Sequence, residues 1–225
     1  MCFSCHGIFR TALTAAVFIL AAASCSVYPT FLAAAEVVHL SIGEKQGVYR
    51  LAIATILDAP FAAVRHVITD YAHIYRVDPS IVKSEILSEP GASITRVETL
   101  VDDCILYFCR DIRLVEDVKD VRDDDIYTVI VPELSSVKSG TGHWQILPMG
   151  PKTRINYDMT LQPGFYVPPL IASYLVEKKL ENEMLISFDN IERIARTYNR
   201  RLIAHDLMQN VTWSSNTARE HDTTA

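Results

Sequence analysis

The sequence predicts an α+β domain in which one long C-terminal helix lies across a curved antiparallel sheet. Three observations carry that prediction. From Ser93 to Leu161, apolar and polar residues alternate in short runs separated by turn signals, the period of half-buried strands. After Pro169 the apolar period changes to three and four residues, the stripe of an amphipathic helix. Strand and helix patterns do not alternate along the chain, so nothing supports a Rossmann-like or barrel sheet.

The chain has 225 residues, 49% hydrophobic and 21% charged, with a formal charge of -6. That length suits one domain with a substantial core. An acidic balance with interspersed bases offers no basic face to a phosphate backbone, so a nucleic-acid partner is not expected. Arg10 is the only charged residue before Glu36, and it precedes the apolar run TALTAAVFILAAA. Ala33-Ala34-Ala35 then offers small residues for cleavage. Residues 1–35 therefore read as a secretory signal peptide, with an uncleaved membrane anchor over 11–35 as the alternative. Beyond it remain Cys104 and Cys109. If CILYFC is a single strand, their odd separation puts the two sulfurs on opposite faces, which predicts two thiols and no disulfide.

VYRLAIATIL, 48–57, reads as the first strand. Asp58 precedes Pro60 and is placed to cap a helix beginning APFAAVRHVITDYAHI, with Phe61, Val64, Ile68 and Tyr71 as its apolar stripe. VKSEILSE, 82–89, is predicted to be an edge strand closed by Pro90-Gly91. Five strands follow: ITRVETLV, CILYFCRDIRLVEDV, IYTVIVPEL, SGTGHWQILP and TRINYDMTL. Turn signals fall at Asp102-Asp103, Asp123 to Asp125, Ser139 to Gly142 and Pro148 to Pro151. In the last strand Ile155, Tyr157, Met159 and Leu161 face one way, and Arg154, Asn156, Asp158 and Thr160 the other. Pro163-Gly164 turns the chain off the sheet. Pro168 is kept out of helical geometry by Pro169, which itself suits a helix's first turn. The helix runs to about Arg200 on a stripe of Leu180, Met184, Phe188, Ile191, Ala195 and Tyr198. The domain is set at 36–204, with 205–225 a polar, disordered tail.

Motifs for chemistry are mostly missing. There is no phosphate-binding glycine loop, no metallopeptidase helix signature and no nucleophile elbow, so neither a cofactor nor a metal is implied. His66 and His73 lie seven apart, too distant for joint ligation on one helix. Asp123-Asp124-Asp125 lacks the alternating spacing of a calcium loop. Asp70 beside Tyr71, and Asp158, are the candidates for acid–base work, although Asp158 falls on the polar face. No catalytic residue is assigned. The unusual feature is aromatic and apolar material around the sheet and the helix entrance: Tyr107, Phe108, Trp144, Tyr157, Phe165, Tyr166 and Tyr174, with Met184 on the helix stripe. A curved sheet gripping a helix often leaves a cavity that such rings would line.

ILDAPFAAVRHVITDYAHIYRVDPSIVKSEIL resembles the opening of the START-like, or SRPBCC, superfamily. GHWQILP with TRINYDMTLQP resembles its last two strands, and PGFYVPPLIASYLVEKKLENEMLISFDNIERIA its closing helix. The nearest branch is that of the polyketide cyclase/dehydrase and coenzyme Q-binding START-like proteins. The resemblance spans about residues 48–198 and implies a helix-grip fold. It also implies an apolar ligand (a lipid, an isoprenoid or a polycyclic compound) held between sheet and helix. Tyr107, Trp144, Tyr157, Phe165, Tyr166, Tyr174 and Met184 are the expected ligand-binding residues. The expected protein is a non-enzymatic, exported monomer of the periplasm or cell envelope, with contact to a membrane surface left open. A cyclase- or aromatase-like enzyme and a protein-binding envelope factor without a cavity are the alternatives.

Overall fold

The computed structural model describes residues 35–105, 108–165 and 169–222; all of the predicted signal peptide or anchor except Ala35 lies outside them. Eight strands form one antiparallel sheet: β1 (Glu36–Lys45), β2 (Val48–Leu57), β3 (Ile81–Ile86), β4 (Thr95–Ile105), β5 (Phe108–Arg122), β6 (Asp125–Ile130), β7 (Val137–Met149) and β8 (Lys152–Pro163). Their spatial order is β1-β2-β8-β7-β6-β5-β4-β3. Every neighbouring pair but one is consecutive in sequence. The exception is β2–β8, where Tyr49 lies opposite Leu161 and Leu57 opposite Thr153. Helix α1 (Phe61–Ile68) and a 3₁₀ segment, Tyr71–Arg76, occupy the crossover between β2 and β3. Helix α2 (Pro169–Asp222) follows β8 and packs on the inner sheet face, as the helix-grip prediction requires.

The predicted α2 stripe is the core. Phe188, Ile191 and Ala195 are 1%, 1% and 0% exposed, and Leu180, Met184, Ile194 and Tyr198 pack against them. From the sheet, Leu51, Ile53, Leu57, Val97, Val118, Ile126, Ile146 and Ile155 meet this stripe, each at the alternate positions that strand geometry directs inward. The predicted two faces of β8 are present: Ile155 and Tyr157 are buried, while Asp158 is exposed.

Several expectations change. β1 is an additional strand, overlooked because it is an exposed edge on which Val37 and Val38 face solvent. A two-residue turn joins it to β2, with positive φ at Gln46 and Gly47 (55° and 76°). The single helix expected from Ala59 is two pieces, and Asp58 does not cap it: α1 starts behind Pro60 with no side-chain cap. Asp102-Asp103 and Ser139 to Gly142 lie inside β4 and β7 and are not turns. The helix continues to Asp222 past the expected end near Arg200, in a stretch with neither proline nor glycine to stop it.

The cysteines correct a further expectation. CILYFC is not one strand, because β4 ends at Ile105 and β5 begins at Phe108. Cys104 and Cys109 are therefore opposite partners in a hairpin, with Cα atoms 3.9 Å apart, and they form a disulfide.

Helix and crossover are joined by Glu192, whose side chain is buried on α2 at 3% exposure. One carboxylate oxygen accepts the backbone N–H of Asp58 at 2.9 Å and the other accepts from Arg196 at 3.1 Å. Removing it would strand a buried N–H at the point where β2 leaves the sheet. Glu192→Ala should lower the unfolding free energy by about 2 kcal/mol in urea denaturation. Glu181→Ala, which loses only the outer pair with Lys178, should stay within about 0.5 kcal/mol of wild type.

Candidate functional site

The alternation that builds the core also leaves it incomplete. Between the concave sheet face and the first half of α2 lies a cavity of about 410 Å³. β4 contributes Val97, Thr99 and Val101, β5 contributes Ile112, Leu114 and Val118, and β6 contributes Ile126 and Ile130. Met159 and Leu161 of β8 continue this wall, and Leu180, Met184 and Phe188 of α2 cover it. Trp144 of β7 braces one side, its ring 4.0 Å from that of Tyr157 and 6.0 Å from that of Phe188. Arg110 stands over the Phe165 ring at 5.6 Å, joining the β4–β5 hairpin to the segment that leads into α2.

Of the residues predicted to bind ligand, Trp144, Tyr157, Phe165 and Met184 line this cavity together. Tyr174 does not: it is 70% exposed, on the turn of α2 that faces outward. Tyr107 and Tyr166 lie outside the described residues. The two acid–base candidates are elsewhere. Asp70 accepts from His73 Nδ1 at 2.7 Å and from Arg76, a surface cluster that anchors the 3₁₀ segment. Its neighbour Tyr71 does line the cavity, but its hydroxyl donates to Asp120 at 3.2 Å. Asp158 lies in a different depression on the outer sheet face, of about 610 Å³, beside Arg50, Tyr127 and His143. That groove is the more open of the two, whereas the interior cavity is walled by sheet and helix and withdraws a ligand from water. Among the described residues no three His, Cys, Asp or Glu side chains converge as metal ligands would, and no helix is long and apolar enough to cross a membrane.

One polar group of the interior escaped the sequence prediction. Glu116 of β5 points into the cavity, paired across the strands with Val97 and Ile130. Burial pushes its carboxyl above the ordinary glutamate range, with a hydrogen bond from Thr128 acting weakly the other way. Tyr157 is affected in the same sense: burial, and then the proximity of Glu116, hold its phenol protonated. The signal for Glu116 was present in the sequence. Ile112, Leu114 and Val118 mark one face of β5, and position 116 is the charged interruption in that apolar row.

Gly142 makes room for this polar group. A Cβ there would lie 2.5 Å from Thr128 Oγ1 and 3.5 Å from the Tyr157 hydroxyl. The two hydroxyls thus reach the same point above the β7 backbone because no side chain fills it.

Residues 51–195 match the family model for polyketide cyclase / dehydrase and lipid transport. The chain is also similar to solved structures. The Zhui aromatase/cyclase from a Streptomyces species is 18% identical, covering 66% of this chain and 94% of that one, with a TM-score of 0.54. A START superfamily protein from Mycobacterium smegmatis is 16% identical over 64% and 98% of the two chains, with a TM-score of 0.52. A STAR-related lipid transfer protein from Xanthomonas axonopodis is 16% identical over 68% and 98%, with a TM-score of 0.51. At these identities the likeness is one of fold. No curated protein sequence matches the chain.

The space above Gly142 has a measurable consequence. Gly142→Ala should destabilise by about 1–3 kcal/mol through overpacking against Thr128 and Tyr157. Gly43→Ala in β1, where a methyl meets nothing within 4 Å, should not destabilise the protein in the same denaturant titration.

Proposed function

Because the chain belongs to the polyketide cyclase / dehydrase and lipid transport family, and has the helix-grip fold of the START-like superfamily, we propose that it is a non-enzymatic carrier of an apolar molecule. The ligand class is a lipid, an isoprenoid or a polycyclic compound. The observation that carries this reading is the walled cavity of about 410 Å³ between sheet and α2, lined chiefly by aliphatic and aromatic side chains. Burying an apolar ligand there releases about 25 cal/mol for each Å² of surface removed from water. Similarity to a lipid transfer protein supports the same reading.

Catalysis is the second reading, and Glu116 is the observation in its favour. A proton-transfer enzyme needs a base as well as an acid in reach of the ligand. Around Glu116 stand Thr128, which hydrogen-bonds it, and Tyr157, whose phenol holds its proton tightly. That trio suits holding a ligand better than removing a proton from it.

We place the protein's work in the cell envelope. The apolar, nearly uncharged sequence of residues 1–35 supports export, and the Cys104–Cys109 disulfide fits an oxidising compartment.

Native mass spectrometry of protein purified from its own envelope fraction is expected to find a retained apolar molecule. Leu114→Trp, which fills the cavity from β5, should lower that retention several-fold and equally reduce uptake of the neutral probe N-phenyl-1-naphthylamine. A wild-type protein that neither retains a molecule nor takes up the probe would overturn the carrier reading. In the same fraction, iodoacetamide should label Cys104 and Cys109 only after reduction. Immediate labelling would argue for a reducing compartment.

A further inference from the structure

Glu116 has a cost that the cavity's apolar lining does not explain. An isolated carboxylate withdrawn from water costs several kcal/mol unless it is paired or neutralised. The two influences on its titration are burial and Thr128; no cation is among them. Arg110 is on the same inward face of β5 but six residues away, about 20 Å along the strand. Lys179, also at the cavity wall, is occupied with Glu183 at 3.0 Å. The other titratable groups lining the space are Tyr49 on β2, Tyr71 on the 3₁₀ segment, Asp78 before β3 and Tyr157 on β8. Of these, Tyr157 is the one electrostatically linked to Glu116. Burial biases such an acid toward its protonated form, which has both a donor and an acceptor to offer.

We infer that Glu116 is the polar anchor of the cavity and that, with Tyr157 and Thr128, it hydrogen-bonds the single carbonyl or hydroxyl of an otherwise apolar, uncharged ligand. The inference rests on the carrier reading and narrows it. Geometry supports it in two independent ways. Glu116 is flanked across the strands by Val97 and Ile130, so the polar spot is local and surrounded by apolar wall. The missing side chain of Gly142 lets the Thr128 and Tyr157 hydroxyls approach a common point beside it. A ketone oxygen there could accept from Glu116 and Tyr157, and an alcohol could also donate to the carboxyl C=O. A ligand anion would bring a charge into the cavity with no cation beside Glu116 to meet it. The anchor thus favours neutral polycyclic or isoprenoid ketones and alcohols over fatty-acid and phospholipid anions.

Three probes on one carbon skeleton test this: fluorene, 9-fluorenone and fluorene-9-carboxylate. Calorimetric titrations at pH 7 should show wild type binding the ketone about tenfold more tightly than the hydrocarbon, the effect of one net hydrogen bond. The carboxylate should bind more weakly than the ketone. Glu116→Gln should keep the ketone preference, while Glu116→Leu should bring the ratio to about one. Raising the pH through the elevated titration of Glu116 should weaken ketone binding to wild type and leave Glu116→Gln unchanged. Folding is checked by thermal melts. A native-state carboxyl that titrates high holds a proton the unfolded chain has released, so stability falls as pH rises between the two titrations. Both variants should therefore melt no lower than wild type at pH 7. If fluorene binds but the ketone preference is missing, or persists in Glu116→Leu, the anchor is wrong and the carrier reading stands. If none of the three binds, both are wrong.

Discussion

The pairing of β2 with β8 organises the molecule. It joins the first half of the sheet to the last, with Tyr49 opposite Leu161 and Leu57 opposite Thr153. Every other pairing is a local hairpin or short connection, so this one long-range seam brings β1 and β2 beside the far end of the sheet. It also fixes where the crossover with α1 must run. Thr153 at the end of the seam donates to Ala59 O at 2.7 Å, and Glu192 of α2 holds the neighbouring Asp58 N–H. Sheet, crossover and helix therefore meet around Asp58 and Ala59. That is where the packing is solid, with Leu57, Val64 and Ala195 all fully buried.

Away from that junction the same geometry cannot fill the interior. Around Leu180 and Met184 the helix stands off the sheet and leaves the cavity, while the inward positions of β7 there are Gly140 and Gly142, over which Ile130, Thr128 and Tyr157 close in. The two halves of the α2 stripe thus do different work. Phe188, Ile191 and Ala195 close a packed core, whereas Leu180 and Met184 form the roof of a cavity. The Cys104–Cys109 disulfide ties the hairpin whose strands carry Val101, Arg110 and Ile112 along the wall of that space. A covalent tie at a hairpin end is useful where packing is incomplete, because few side-chain contacts are available to order it.

What the sequence made legible follows burial. The faces of β8 and the stripe of α2 carry strong periodicity because one side of each is buried for its whole contact length, and both were predicted residue by residue. β1 carried a weak signal because an edge strand buries little, and the Gln46-Gly47 turn lacks the usual Asn-Gly pair. The pairing of β4 with β5 was hidden by apolar composition, since CILYFC reads as a continuous strand. Trp144, Tyr157, Phe165 and Met184 were legible as a group because large apolar side chains near the helix entrance have few other places to go. Tyr174 was misassigned because the first turns of α2 are apolar nearly all round, so the sequence offers no phase to say which face looks inward.

Glu116 belongs to a different kind of signal, an interruption in a pattern. A charged residue on an outward row says little, but Ile112, Leu114 and Val118 define the row it sits in as inward. In a solid core such a residue would need a partner or would be displaced by strain. Here it borders empty volume, so beyond its hydrogen bond with Thr128 the carboxyl has capacity left for what enters. Leucine there would remove the desolvation cost that this carboxyl carries in the empty protein. A side chain that weakens the fold and faces a cavity makes physical sense when its hydrogen bonds are completed by what enters. The same logic separates the two hydroxyl neighbours from chance: Thr128 and Tyr157 converge because residue 142 is glycine, and a Cβ there would collide with the Thr128 hydroxyl.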